Sequence, residues 1–156
     1  METESPYGSL YLIPTPLGEN SPLEVLPLSV KTKVEELKHF IVENEKAARR
    51  FIKKLAPKKS QEALHIYPLN KYTTQEEIST YLNPCFEGLQ MGLMSDAGAP
   101  GIADPGAIIV SKAHKSGIKV KPFVGPSSII LAMMSSGMNG QNFSDTHLIA
   151  NDRNIV

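Results

Sequence analysis

The chain has 156 residues, 41 % of them hydrophobic and 21 % charged, enough for one domain with a real core. Its 16 basic residues balance its 16 acidic ones, so no global charge draws it onto nucleic acid or membrane. A single cysteine, Cys85, excludes an internal disulfide framework, fits a reducing cytosol and reads as a structural or surface thiol with no base beside it in any motif.

Residues 1–9 read as a flexible lead-in, and the acidic opening Met1-Glu2-Thr3-Glu4-Ser5-Pro6 lacks the apolar stretch of a signal peptide. Leu10-Tyr11-Leu12-Ile13 is a continuous apolar run suited to a strand buried on both faces. Pro14-Thr15-Pro16-Leu17-Gly18-Glu19-Asn20 ends it in a Pro/Gly loop. Residues 21–38 are ambiguous: Pro22 and Pro27 break the start, while Val30, Val34 and Leu37 fall at helical spacing. Phe40-Ile41-Val42 is a second buried strand.

Residues 44–55 give the clearest helix. Ala47, Ala48, Phe51, Ile52 and Leu55 make one apolar stripe; Lys46, Arg49, Arg50, Lys53 and Lys54 make the adjoining basic one, with Asn44 as N-cap. Leu64-His65-Ile66-Tyr67 is a third strand, and Thr74-Gln75-Glu76-Glu77 starts a helix that Pro84 should stop. Leu89 to Met94 is strand four, followed by a loop dense in Gly, Pro and Asp. Pro105 to Ser116 is a helix with Pro near its first turn and Gly117 past its end, and Ile118 to Val124 is strand five. Gly125-Pro126-Ser127-Ser128 is another small-residue loop, and Ile129 to Ser136 is an apolar helix whose Met133 and Met134 read as core filler. No run approaches the ~20 apolar residues of a membrane span, so no membrane partner is expected.

Strands alternating with helical patterns predict an α/β fold with a mainly parallel five-stranded sheet flanked by helices. The Gly/Pro/Ser loops follow strands one, four and five, and in a parallel sheet they share the carboxyl edge, where open α/β sheets bind ligands. The central loop, Ser95 to Gly106, holds three glycines and two prolines, which let a backbone approach a ligand closely in a fixed shape. It contains neither a G-x-x-x-x-G-K-[ST] nor a G-x-G-x-x-G run, which argues against triphosphate and dinucleotide sites.

Leu10 to Gly18, Ser95 to Gly106 and Val124-Gly125-Pro126-Ser127-Ser128 with Ser136-Gly137 resemble, in order and spacing, three motifs of the tetrapyrrole methylase superfamily. Within it they are most like the branch that 2′-O-methylates 16S ribosomal RNA. The resemblance covers about residues 10–143. It implies the N-terminal α/β domain of an S-adenosylmethionine-dependent methyltransferase, with the cofactor folded in a cleft between two domains. By the same resemblance Leu17 of the first loop, Ala99 and Ile102 of the central loop and Ser127 and Ser128 of the third would contact the cofactor. Gly98, Pro100 and Gly101 would shape the backbone. Ribosomal RNA or the small ribosomal subunit would be the partner, in the cytoplasm. The catalytic group is not identified by sequence.

Family chains are normally a good deal longer. Residues 144–156 do not read as the start of a second domain, so half the cleft would lie outside this chain. Weak or absent cofactor binding and little activity are therefore expected of it alone. Glu43 and Arg49 match the branch's Glu-Asp-Thr-Arg region while Asn44 replaces its acid, and Asn70 matches a segment whose usual histidine is missing. The alternatives are a non-catalytic RNA- or partner-binding domain, for which a homodimer could cover the exposed cleft face, and a corrinoid or porphyrin precursor methylase. Against the last, Gly98-Ala99-Pro100 stands where those enzymes show Gly-Asp-Pro. Asp96 reads equally as a proton acceptor and as a turn-forming residue, and Asp104 more as a turn and cap residue. The basic stripe reads as a solvated helix face or as a contact for RNA phosphates. His39, His65, His114 and His147 show no metal-ligand spacing, and no metal is expected.

Overall fold

A computed structural model describes residues 5–102 and 104–144; the first four residues of the expected lead-in, Ala103 and the tail from residue 145 lie outside the described residues. Five strands, β1 (Leu10–Leu12), β2 (His39–Val42), β3 (His65–Pro68), β4 (Met91–Met94) and β5 (Val120–Pro122), form one sheet in the order β3-β2-β4-β1-β5. Every pairing is parallel, with Leu10 opposite both Met91 and Val120, and His39 opposite both His65 and Met91. The strands that precede the three small-residue loops, β4, β1 and β5, are therefore adjacent.

Both faces of the central strands β2 and β4 are covered, which is why they read as unbroken apolar runs. Phe40, Val42 and Met94 face one core with Val30, Val34, Phe51 and Ile52. Ile41, Met91 and Leu93 face the other with Ile78, Leu82, Ile109 and Ala113. The first core is roofed by α2 (Leu28–Glu36) and α3 (Glu45–Leu55), the second by α4 (Gln75–Thr80), α5 (Asn83–Phe86) and α6 (Ala107–Lys115). In α3 the Asn44 side chain accepts from the Ala47 N–H (3.0 Å), and Ala48, Phe51, Ile52 and Leu55 are buried. In α4 Thr74 and Glu77 close a reciprocal capping box.

The structure resolves the ambiguous stretch 21–38 into two helices, α1 (Pro22–Val25) and α2. Pro27 occupies the N-cap of α2, where its missing N–H costs nothing, and Val30 and Val34 point into the core. The helix expected to stop before Pro84 does so, α4 ending at Thr80, and Pro84 then occupies the second position of α5. The last helix, α7 (Ser128–Ser136), was expected to supply core residues and does not. None of its residues is buried, and Met134 is 73 % exposed. It follows the edge strand β5, and no described element covers its outer face, so its apolar composition faces solvent.

Cys85 is buried and reduced, and burial pushes its thiol up to about 11. At the opposite sheet edge from the loops, His39 stacks on His65 with ring centroids 4.5 Å apart, and its Nδ1 lies 2.9 Å from the Tyr67 hydroxyl. Burial, then the neighbouring His65, lowers the His39 pKa; Lys38 adds to this and Glu87 opposes it. A base whose folded pKa is depressed takes its proton first in the unfolded chain, so stability falls as pH drops through the ordinary histidine value of about 6.5. Urea midpoints measured from pH 7.5 down to 5.5 should decline, and His39→Gln should flatten that decline. An unchanged slope in the variant would remove His39 from the account.

Candidate functional site

Three loops meet at Gly98. Thr15 and Gly98 form an isolated antiparallel bridge, each N–H donating to the other's carbonyl at 3.0 Å. Thr15 Oγ1 donates to the Ser95 carbonyl (3.3 Å), fastening the first loop to the base of the central one. Gly98 has φ +77, and a Cβ there would lie 3.0 Å from Leu17 Cδ2 and 3.1 Å from the Pro126 carbonyl oxygen. First, central and third loops are thus in contact around a position that only glycine fits without strain. Gly125 sits directly on the Pro14 ring, which a Cβ would overlap.

Of the residues picked out by sequence, Leu17 meets Gly98 at this hub; the others lie on the same loops or at the start of α7. Gly98 and Pro100 are buried; Ala99 and Gly101 are half-buried. Leu17 is partly exposed and Ile102 is 57 % exposed. Ser127 caps α7, its Oγ accepting from the Ile130 N–H (3.4 Å), and Ser128 is the exposed first residue of that helix. The N–H groups of Ala99 and Gly125 donate to no described residue. The result is a surface of small residues, apolar side chains and unengaged backbone donors, open on one side.

The carboxylates divide by role. Asp104 clamps the central loop: its Oδ2 accepts from Gly101 N–H (2.8 Å) and its Oδ1 from Gly106 N–H (2.7 Å). Burial raises its pKa against those two hydrogen bonds. Asp96 is held differently. Its backbone N–H donates to Glu43 Oε2 (3.0 Å), tying the end of β2 to the central loop. Burial and then the Glu43 carboxylate raise the Asp96 pKa, opposed by the Asn44 amide. A carboxylate with a raised pKa is a better proton acceptor than a free one.

A cleft of about 140 Å³ opens beside the hub, between the first loop, the flank of α3 and the start of the central loop. Thr15, Glu19 and Asn20 form one wall, Ala47, Arg50 and Lys54 the other, and Ser95 and Asp96 the floor. On the far side of Asp96 a shallower opening is bordered by Glu43, Asn44, Asn70, Lys71 and Tyr72. Ala99, Ile102, Ser127 and Ser128 line neither. Sequence reading did not find the cleft, because its walls come from segments some 30 and 75 residues apart. The Thr15–Gly98 bridge and the Glu43–Asp96 contact left no local signal either.

No protein-family model matches the chain. It is 30 % identical, over 86 % of its length, to a Vibrio cholerae protein named ribosomal RNA small subunit methyltransferase I, of which it covers 44 %. It is 31 % identical over 88 % of its length to the Xylella fastidiosa protein of that name, covering 47 % of it. For the Escherichia coli O157:H7 protein the identity is 29 % over 87 % of the chain and 45 % of the relative. The chain spans about half the length of the curated relatives it matches. With its all-parallel α/β sheet, the chain is thus similar, over most of its own length, to about half of several proteins named ribosomal RNA small subunit methyltransferase I.

Proposed function

We propose that the three joined loops form one wall of an S-adenosylmethionine site, in a protein that methylates a ribose hydroxyl of small-subunit ribosomal RNA. The observation that carries the reading is the meeting of Leu17, Gly98 and Pro126, which gathers the first, central and third loops into one surface. The chemistry of that surface fits the ligand. A sulfonium cofactor with adenine and amino-acid ends needs backbone hydrogen-bond partners and apolar contact, not a cradle of cations. The N–H groups of Ala99 and Gly125 supply the first, and Leu17 and Ile102 the second. S-adenosylmethionine supplies a methyl group on positively charged sulfur, activated for transfer without acid catalysis.

The protein's share of the work is then alignment and proton removal. Gly98, Pro100 and Gly101 hold the backbone, Asp104 fixes the turn between them, and Asp96 Oδ accepts the proton of the attacking hydroxyl. The names of the relatives favour ribosomal RNA over a corrinoid or porphyrin precursor as acceptor. A ribosomal substrate puts the protein in the cytoplasm; no described helix is long and apolar enough to cross a membrane. The exposed face of α7 favours one addition: the unit spanning about 10–143 works with a further folded unit, or a second copy, that covers this helix.

With Ile102 exposed, a molecule bound here is covered on one side only, so binding by this chain is weak. Calorimetric titration of S-adenosylmethionine and S-adenosylhomocysteine should give saturable heat that Ala99→Trp abolishes. Equal responses to ATP or NAD, or a response that Ala99→Trp leaves intact, would overturn the reading.

A further inference from the structure

The basic stripe of α3 does not act as one surface. Arg49 is spent on one flank, its Nε donating to Glu45 Oε1 (2.9 Å) and its Nη1 to the Gln61 carbonyl (2.8 Å). Lys59, beyond the helix, donates to the Glu35 carbonyl (2.9 Å). Ala47, Arg50 and Lys54 fall at i, i+3 and i+7, so they share the other flank, and all three line the cleft beside the loop hub. Neither Arg50 nor Lys54 forms a salt bridge with a described residue. Lys46 and Lys53 lie on the outer face of the helix and line no part of the cleft.

The cleft is matched in chemistry to a sugar-phosphate unit. Its one aromatic, Phe51, is buried in the core, which leaves no exposed ring for base stacking. Two cations on one wall suit the anionic oxygens of a phosphodiester. Asn20 and the carboxylates of Glu19 and Asp96, on the other sides, suit ribose hydroxyls and repel a second phosphate. Thr15 belongs both to the cleft wall and to the bridge with Gly98, so a strand held here passes directly beside the loop hub.

We propose that this cleft is a phosphodiester subsite for single-stranded RNA, in which Arg50 and Lys54 hold the phosphate next to the nucleotide presented to the loops. They act as positioning residues: their contact is with the backbone, and they fix register, not base identity. The inference rests on the reading of the loops as the methyl-donor wall, since that wall is what gives the held nucleotide a purpose.

The test is fluorescence anisotropy of a labelled single-stranded oligoribonucleotide with the full chain, without cofactor, across a salt series. Two charge-matched double variants are compared, Arg50→Ala/Lys54→Ala and Lys46→Ala/Lys53→Ala; all four side chains are exposed, and thermal melts confirm that both variants fold. The first should weaken binding by about tenfold or more and flatten the slope of log K against log salt by roughly 0.7, the value for one lost phosphate contact on a single strand. The second should change affinity by less than about threefold. Equal losses in both variants would mean a diffuse basic field and would overturn the subsite. So would an unaffected Arg50→Ala/Lys54→Ala variant, or a chain that does not bind the RNA. Titrating S-adenosylmethionine into the same variants separates the two readings. Loss of RNA with cofactor binding kept supports the cleft. Absent cofactor binding with the RNA losses intact removes the donor wall and leaves Arg50 and Lys54 as an RNA contact.

Discussion

Gly98→Val is expected to be strongly destabilising. Its φ of +77 costs an L-residue about 1–2 kcal/mol on its own. The new side chain must also displace Leu17 and the Pro126 backbone, which already lie at 3.0 and 3.1 Å from where a Cβ would sit. Pro126 O is main chain and yields less readily than a flexible side chain. Overpacking of this kind adds about 1–3 kcal/mol, for a total of roughly 2–5 kcal/mol. Gly101→Val is the control. Its φ is +83, but a Cβ there meets nothing within 4 Å, so it carries the conformational cost alone. Chemical denaturation of the two variants should show a loss at least twice as large for Gly98. Equal losses would mean that the three loops do not meet tightly at Gly98.

Phe40→Ala is expected to cost about 3–5 kcal/mol, a large part of the 5–15 kcal/mol that usually stabilises a domain. Phe40 is fully buried on β2, among Leu37, Val34 and Ile52, and its ring rests against Gly92 of β4. A Cβ at Gly92 would come within 2.9 Å of the Phe40 ring, so glycine in the central strand is what makes room for the aromatic side chain. Gly92→Ala should therefore destabilise the native protein yet be better tolerated in a Phe40→Leu background. Double-mutant cycles from urea titrations would measure this coupling. Strictly additive losses would contradict the packing described.

Much of the fold was legible because its signals are local. The apolar runs at Phe40 and Met91 are unbroken because both faces of β2 and β4 are covered. Helix α3 announced itself through the Asn44 cap and a clean apolar stripe, and the three loops through their glycines and prolines. The misreadings have physical causes. Pro27 suggests a break, whereas a proline lacking an N–H is at home at the start of a helix, where it sits as the N-cap of α2; the stop expected before Pro84 holds, since α4 ends at Thr80. Met133 and Met134 have core composition, but burial depends on what packs against α7, which the helix's own residues do not encode.

The site was legible only in part. Sequence marked the loops, but not that β4 inserts between β1 and β2, which makes the loops after β4, β1 and β5 neighbours. Nor did it separate Arg50 and Lys54 from the rest of the basic stripe, because that division depends on Glu45 and Gln61 engaging Arg49 in three dimensions. The Glu43–Asp96 contact joins residues 53 apart in the chain and raises the Asp96 pKa through a neighbour no local pattern reveals.

The measurement that tests the central claim most directly is a nitrogen-15 NMR titration of the chain with S-adenosylmethionine, which detects weak binding and locates it. The account predicts saturable shifts concentrated at the amides of Leu17, Gly98, Ala99, Gly101, Ile102, Ser127 and Ser128, with Lys46 and Lys53 unmoved. Shifts confined to Glu19, Arg50 and Lys54 in the neighbouring cleft, or the absence of saturable shifts at the three loops, would contradict it.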